Sequence, residues 1–155
     1  MYLALKVLHV LAAISFLGNI TIGLFWQAHA ARTRDPKLIA FALEGIQRSD
    51  QFFTKPGALL LLLTGFGIAG VGHFPVFGTG WILWTLVLFV AAGGTYGALA
   101  SPLRRQMLEL AQAGAQSGTF SPEAYGALSR RFHQRVAVAL LLPFVGLALM
   151  VFKPF

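Results

Sequence analysis

The sequence predicts an all-α protein, a polytopic membrane four-helix bundle. Three observations predict it. The 155 residues are 57% hydrophobic and only 11% charged, whereas a soluble domain carries roughly 25% charge. Four long apolar runs are present, and basic residues gather in two of the three connections. A spanning helix needs about 20 apolar residues, so the chain reads as a single transmembrane domain, 1–155, with spans at about 3–28, 53–72, 81–100 and 134–152. The apolar runs are not read as strands, because lipid admits only helices or closed barrels and four segments cannot close a barrel.

The first span has a small-residue pattern, Ala28-His29-Ala30, that resembles a signal cleavage site. Its apolar stretch from Val7 to Trp26 exceeds the ~7–15 residues of a signal core and no basic cluster precedes it. It is therefore kept as a span. The second is built on Leu59–Leu63, with Phe52 and Phe53 extending it across Lys55-Pro56. The third runs from Trp81 and Trp84 through Gly93, Gly94 and Gly97; these glycines, with Gly65, Gly67, Gly70 and Gly72, read as small residues that let helix backbones approach. The fourth carries Leu140–Leu142 and Pro143. Asp35-Pro36 and Ser121-Pro122 each place a capping side chain before a proline at the first helical position, so the helices should extend beyond the bilayer. Arg48 precedes Pro56, and Arg135 precedes Pro143, by the same interval, which suggests two related hairpins. Both prolines should loosen their helices by leaving the carbonyl four residues upstream unbonded.

Orientation follows from charge. All but two of the 12 Lys and Arg residues lie between the first two spans (Arg32, Arg34, Lys37, Arg48, Lys55) or the last two (Arg104, Arg105, Arg130, Arg131, Arg135). The positive-inside bias puts both loops in the cytoplasm, giving an N-out/C-out protein whose helices extend into the cytoplasm. The expected location is the bacterial cell inner membrane, multi-pass. The net charge of +7 is thereby a topology signal, and no nucleic acid partner is expected, since the basic residues flank apolar runs. Cysteine is absent, which excludes disulfides and thiolate metal sites.

Polar residues inside spans mark function. His9 is the clearest; at ~100° per residue it shares a face with Phe16, Ile20, Gly23 and Gln27, with Ser15 and Asn19 on the flank. His29 falls about 30 Å further along the helix, so the two cannot ligate one ion. His73 shares the outer side with His9, while His29 and His133 share the cytoplasmic side. Imidazole is a good axial haem ligand, and Arg48, Lys55 and Arg135 can meet carboxylates or haem propionates. The alternative is that His9 simply hydrogen-bonds a neighbouring helix and the other histidines are interfacial. All five acidic residues are assigned to the loops, which leaves no paired intramembrane carboxylates and argues against a proton-coupled transporter.

Lys6-Val7-Leu8-His9, followed by Trp26-Gln27-Ala28-His29, resembles the first helix of the bacterial membrane-bound protoporphyrinogen oxidase family. The ending Val151-Phe152-Lys153-Pro154-Phe155 and Thr54-Lys55-Pro56 are also similar to motifs of that family. A group of predicted bacterial integral membrane proteins of unknown function is closer in overall character, through Lys6–Asn19 and Ser101-Pro102-Leu103-Arg104-Arg105. The oxidase resemblance implies a four-helix protein that binds haem b, with His9 as ligand, and an oxidoreductase activity. The departures are the absence of a lysine and a Tyr-His pair from the third span, and His133-Gln134 where that family has Asn-Glu.

These readings converge on an integral membrane protein binding haem b with a redox role. Cofactor-binding residues are expected at His9, Arg48, Lys55 and Arg135. His9 is the expected metal ligand, with His73 or, separately, His29 and His133 as weaker candidates. The alternatives are a cofactor-free membrane subunit or scaffold and a true protoporphyrinogen oxidase. The expected partners are the lipid bilayer, a tetrapyrrole ligand, and a homo-oligomer or membrane-complex partner.

Overall fold

Four long helices account for almost the whole of the computed structural model, which describes residues 1–154. They are α1 (Tyr2–Thr33), α2 (Pro36–Val71), α3 (Gly80–Ser117) and α4 (Pro122–Phe152), and each is long and apolar enough to cross a membrane. The described residues contain no strand. The helices run up and down. Both termini and the turn between α2 and α3 lie at one end, and the two basic connections lie at the other.

Both predicted caps form. The Asp35 side chain accepts from the Lys37 N–H at 2.8 Å, and Ser121 Oγ accepts from the Ala124 N–H at 3.2 Å. Pro36 and Pro122 occupy first-turn positions in which no intrahelical donor is needed. At its other end α1 stops on Arg34, whose left-handed φ of 56° lets its N–H close onto the Ala31 carbonyl.

Burial divides the bundle into two chemically different halves. At the basic end, Ile39, Leu43, Met107, Tyr125 and Phe132 form a core of large side chains, as in a water-soluble bundle. In the apolar half the buried residues are small: Ala12, Gly57, Ala69, Ala92 and Gly146. The large side chains there, such as Ile14, Leu59, Leu63, Val90 and Val151, point outward. This is the arrangement a lipid solvent selects, because helix contact in lipid is driven by close backbone approach rather than by removal of apolar area from water.

The apolar half is two hairpins, α1 with α2 and α3 with α4. A Cβ on Gly57 would stand 3.3 Å from Phe16 Cβ and 3.4 Å from the Ala12 carbonyl oxygen, so glycine sets the α1–α2 crossing. Gly146 does the same for α3–α4, where a Cβ would meet Thr85 Cγ2 at 3.1 Å. Thr85 Oγ1, which donates to the Trp81 carbonyl at 2.7 Å, lies 3.2 Å from the Gly146 carbonyl oxygen. Between the hairpins the backbones stand further apart, and rings such as Phe16 and Phe89, 5.5 Å between centroids, bridge the gap.

Helices α2 and α3 each contain one π-helical turn, Asp50–Thr54 and Tyr96–Ala100, followed closely by Pro56 and Pro102. A proline cannot bond the carbonyl four residues back. That carbonyl belongs to Phe52 or Ala98, and each lies inside the π turn. The wider turn re-pairs the backbone five residues apart, as in Lys55 N–H to Asp50 O and Ser101 N–H to Tyr96 O. Pro143 instead lies within the α-helical run of α4. The π-turn device therefore recurs in α2 and α3, not in the α2 and α4 pair that the Arg-to-Pro spacing suggested.

Candidate functional site

The π turn of α2 opens on Asp50, an acidic residue carried by a helix rather than by an irregular connection. Asp50 is inside a helix and faces the interior of the bundle, on one side with Thr54 four residues on. Asn19 Nδ2 of α1 donates to Asp50 Oδ1 at 3.1 Å and to Thr54 Oγ1 at 2.8 Å. Thr54 Oγ1 donates to the same carboxylate oxygen at 2.9 Å. The other oxygen forms an ion pair with the Arg104 guanidinium of α3. Only 16% of the Arg104 side chain and 13% of the Asp50 side chain remain exposed. Arg104 also sits over the Tyr96 ring, 5.6 Å from its centroid. Three helices are thus tied through one carboxylate.

Beside this cluster a cavity of about 420 Å³ separates the hairpins, a volume within the ~300–1,000 Å³ usual for small-molecule sites. Its walls are chemically unlike. Helices α2 and α3 contribute polar groups, including Asp50, Gln51, Lys55, Tyr96, Ser101 and Arg104. Helices α1 and α4 contribute Phe16, Ile20, Leu24, Phe132, Val136 and Leu140, with Gln27 as the polar exception. Gln27 is 2% exposed, and its Nε2 has no hydrogen-bond partner. Phe16, Ile20, Gly23 and Gln27 all line the cavity, as their shared helix face predicts.

His9 lies outside it. His9 Nδ1 is 2.8 Å from Thr64 Oγ1, and Thr64 Oγ1 donates to the Leu60 carbonyl at 2.6 Å. The hydroxyl proton is therefore already used. With that proton on the Leu60 carbonyl, Nδ1–H is the donor in the first contact and Nε2 keeps a free lone pair. Gly65 completes the seat: a Cβ there would stand 3.3 Å from His9 Cε1. A histidine held through one nitrogen, with the other unprotonated, is the form that ligates a metal, so the donor chemistry of His9 suits a metal ligand.

The remaining predicted residues are dispersed. Lys55 lines the cavity, nine residues from Thr64 and so about 13 Å along α2. Arg48 is exposed and sixteen residues from Thr64, about 24 Å, too far to join Lys55 beside His9. Arg135 is exposed on α4. His73 occupies the α2–α3 turn with a left-handed φ of 56°, about 13 Å beyond Thr64 by helical rise. His29 is exposed and stacks on Phe25, 6.1 Å between centroids. His133 Nδ1 is 2.7 Å from the Ser129 carbonyl, which fixes Nδ1–H as the donor. Among the described residues no three His, Asp or Glu side chains gather closely enough to hold an ion.

Sequence reasoning missed Asp50, Thr54 and Arg104 as a site. The available signal was the position of Asp50, two residues before the apolar pair Phe52-Phe53, together with Asn19 in the middle of the first span.

Residues 3–154 match the family described as predicted integral membrane protein (DUF2269). The chain belongs to this family. As a DUF2269 protein it is an integral membrane protein, in agreement with four spanning helices and lipid-facing apolar side chains. No curated protein and no solved structure matches it.

Proposed function

We propose that this protein binds haem b through His9 and has a redox role in the bacterial inner membrane, with its basic end in the cytoplasm. The observation that carries the reading is the His9–Thr64–Leu60 chain of hydrogen bonds. It selects the Nδ1–H tautomer and leaves Nε2 free to ligate. Thr64 fixes the ring plane, and Gly65 keeps the space beside it clear. Lys55 is the cation of the predicted set that α2 carries nearest to this level. When bound, haem supplies one-electron chemistry at a potential set by its ligand and its burial. Protein expressed with haem supplementation should show a Soret band that His9→Ala shifts or abolishes. Protein without a Soret band, or with a band unchanged in His9→Ala, overturns the assignment. Oxidation of protoporphyrinogen is the enzymatic form of this proposal, and rescue of a strain lacking that oxidase tests it separately.

A second reading, a cofactor-free subunit of a membrane complex, is favoured by α3. Cβ atoms added at Gly94 and Gly97 would meet nothing within 4 Å. A helix with open small residues one turn apart suits close approach by a partner helix. Recovery of a stoichiometric complex from which Gly97→Leu releases the partner would support this reading.

A further inference from the structure

The one carboxylate of the cavity between the hairpins is already partnered, and two of its nitrogen donors are not. Its one carboxylate, Asp50, already takes hydrogen bonds or charge from Asn19, Thr54 and Arg104. In contrast, the buried Gln27 Nε2 has no partner, and Lys55, an exposed residue of the lining, forms no ion pair among the described residues. With Asp50 and Arg104 neutralising each other, Lys55 leaves the wall with an excess positive charge. The opposite wall, Phe16, Ile20, Leu24, Phe132, Val136 and Leu140, is apolar. A buried amide donor left unsatisfied costs about 1–3 kcal/mol, so a molecule that supplies an acceptor is favoured there.

We infer that this cavity binds a single-chain amphiphile with an anionic oxygen headgroup, seated between Lys55 and Gln27, with its apolar chain against α1 and α4. The shared chemistry is a carboxylate or phosphate on one acyl-type chain. No histidine lines the cavity, so the site is distinct from the His9 seat and shares only Lys55 with the haem reading.

The test uses the full-length protein in phosphatidylcholine nanodiscs with a photoreactive diazirine analogue of palmitate, followed by peptide mapping. Labelling should map to the Phe16–Gln27 and Phe132–Leu140 stretches and be displaced by unlabelled palmitate or by lysophosphatidic acid; the stronger competitor identifies the headgroup. Lys55→Ala with Gln27→Leu should lower labelling at least about tenfold, as expected for loss of hydrogen bonds to a charged group. An analogue ending in an alcohol should label at least as weakly. Gly93→Leu provides a control that does not touch the donors: Gly93 lines the cavity and a Cβ there meets nothing, so leucine fills the space without a backbone clash and should block labelling. Labels confined to outward residues such as Ile14, Leu59 or Val90 overturn the inference. So does equal labelling by the acid and the alcohol, or labelling unchanged in Gly93→Leu.

Discussion

Arg104 of α3 and Asp50 of α2 form an ion pair across the seam between the two hairpins, each placed beside a π-helical turn and a proline of its own helix. The pair joins the hairpins at the inner edge of the basic-end core, where Gln112 of α3 also donates to Glu44 of α2 at 2.7 Å; in the apolar region the halves meet through ring contacts. Removing one member leaves the other charged in a largely buried position.

Arg104→Met should therefore destabilise the bundle by about 3–5 kcal/mol, and Asp50→Asn with Arg104→Met together should cost less than Arg104→Met alone. Thermal unfolding in detergent of the two single variants and the double variant measures this coupling. Additive effects would show that the pair does not join the hairpins energetically.

Gly57 fixes the distance between α1 and α2. Gly57→Val forces a branched side chain toward Phe16 and the Ala12 carbonyl and should cost about 1–3 kcal/mol. Gly70→Ala, where an added Cβ meets nothing, should leave the unfolding temperature nearly unchanged.

Tyr125 lies in the large-residue core of the basic end with 3% of its surface exposed and no partner for its hydroxyl. Burial pushes its pKa up to about 12. The unfolded chain releases this proton near pH 10, whereas the folded chain holds it until about 12. Stability is thus unaffected below about pH 10 and falls as pH rises from there to about 12, by roughly 2 kcal/mol. Tyr125→Phe should remove that part of the alkaline slope and, having no orphaned hydroxyl, should stabilise the protein by about 1 kcal/mol at neutral pH. Unfolding followed from pH 8 to 12 in both proteins checks the sign; parallel curves would contradict it.

Thr64→Val keeps the shape of the His9 seat but removes the acceptor that selects its tautomer. On the haem reading, the Soret band should weaken or shift while the fold is retained. Thr64→Ser, which restores the hydroxyl, should return the spectrum. If valine and serine behave alike, Thr64 does not orient His9.

Much of the fold was legible because its causes are local and repeated. Apolar runs of spanning length, proline after a capping side chain, and lysine and arginine at one end are each readable within a few residues. His9 stood out for the same reason, as a polar group in an apolar run, and its contact with Thr64 is the helix-to-helix hydrogen bond weighed for it. The Asp50 cluster was not legible. Counting Asp50 as a loop residue followed from starting the second span at residue 53, whereas α2 continues unbroken from Pro36 to Val71. Its partners Asn19 and Arg104 stand 31 and 54 residues away, and only the registry of three helices makes them neighbours. The π turns were equally hidden: Pro56 and Pro102 signal disturbance, yet whether a helix answers with a kink or a wider turn depends on what packs beside it.

The Asp50 network also imposes an order on biogenesis. A chain emerging from its N-terminus presents Asn19 first, then Asp50 and Thr54, and only 54 residues later Arg104. The first hairpin therefore enters with its carboxylate held only by an amide and a hydroxyl. Arrival of the second hairpin supplies the guanidinium, so the carboxylate gains its ion-pair partner only when the bundle closes.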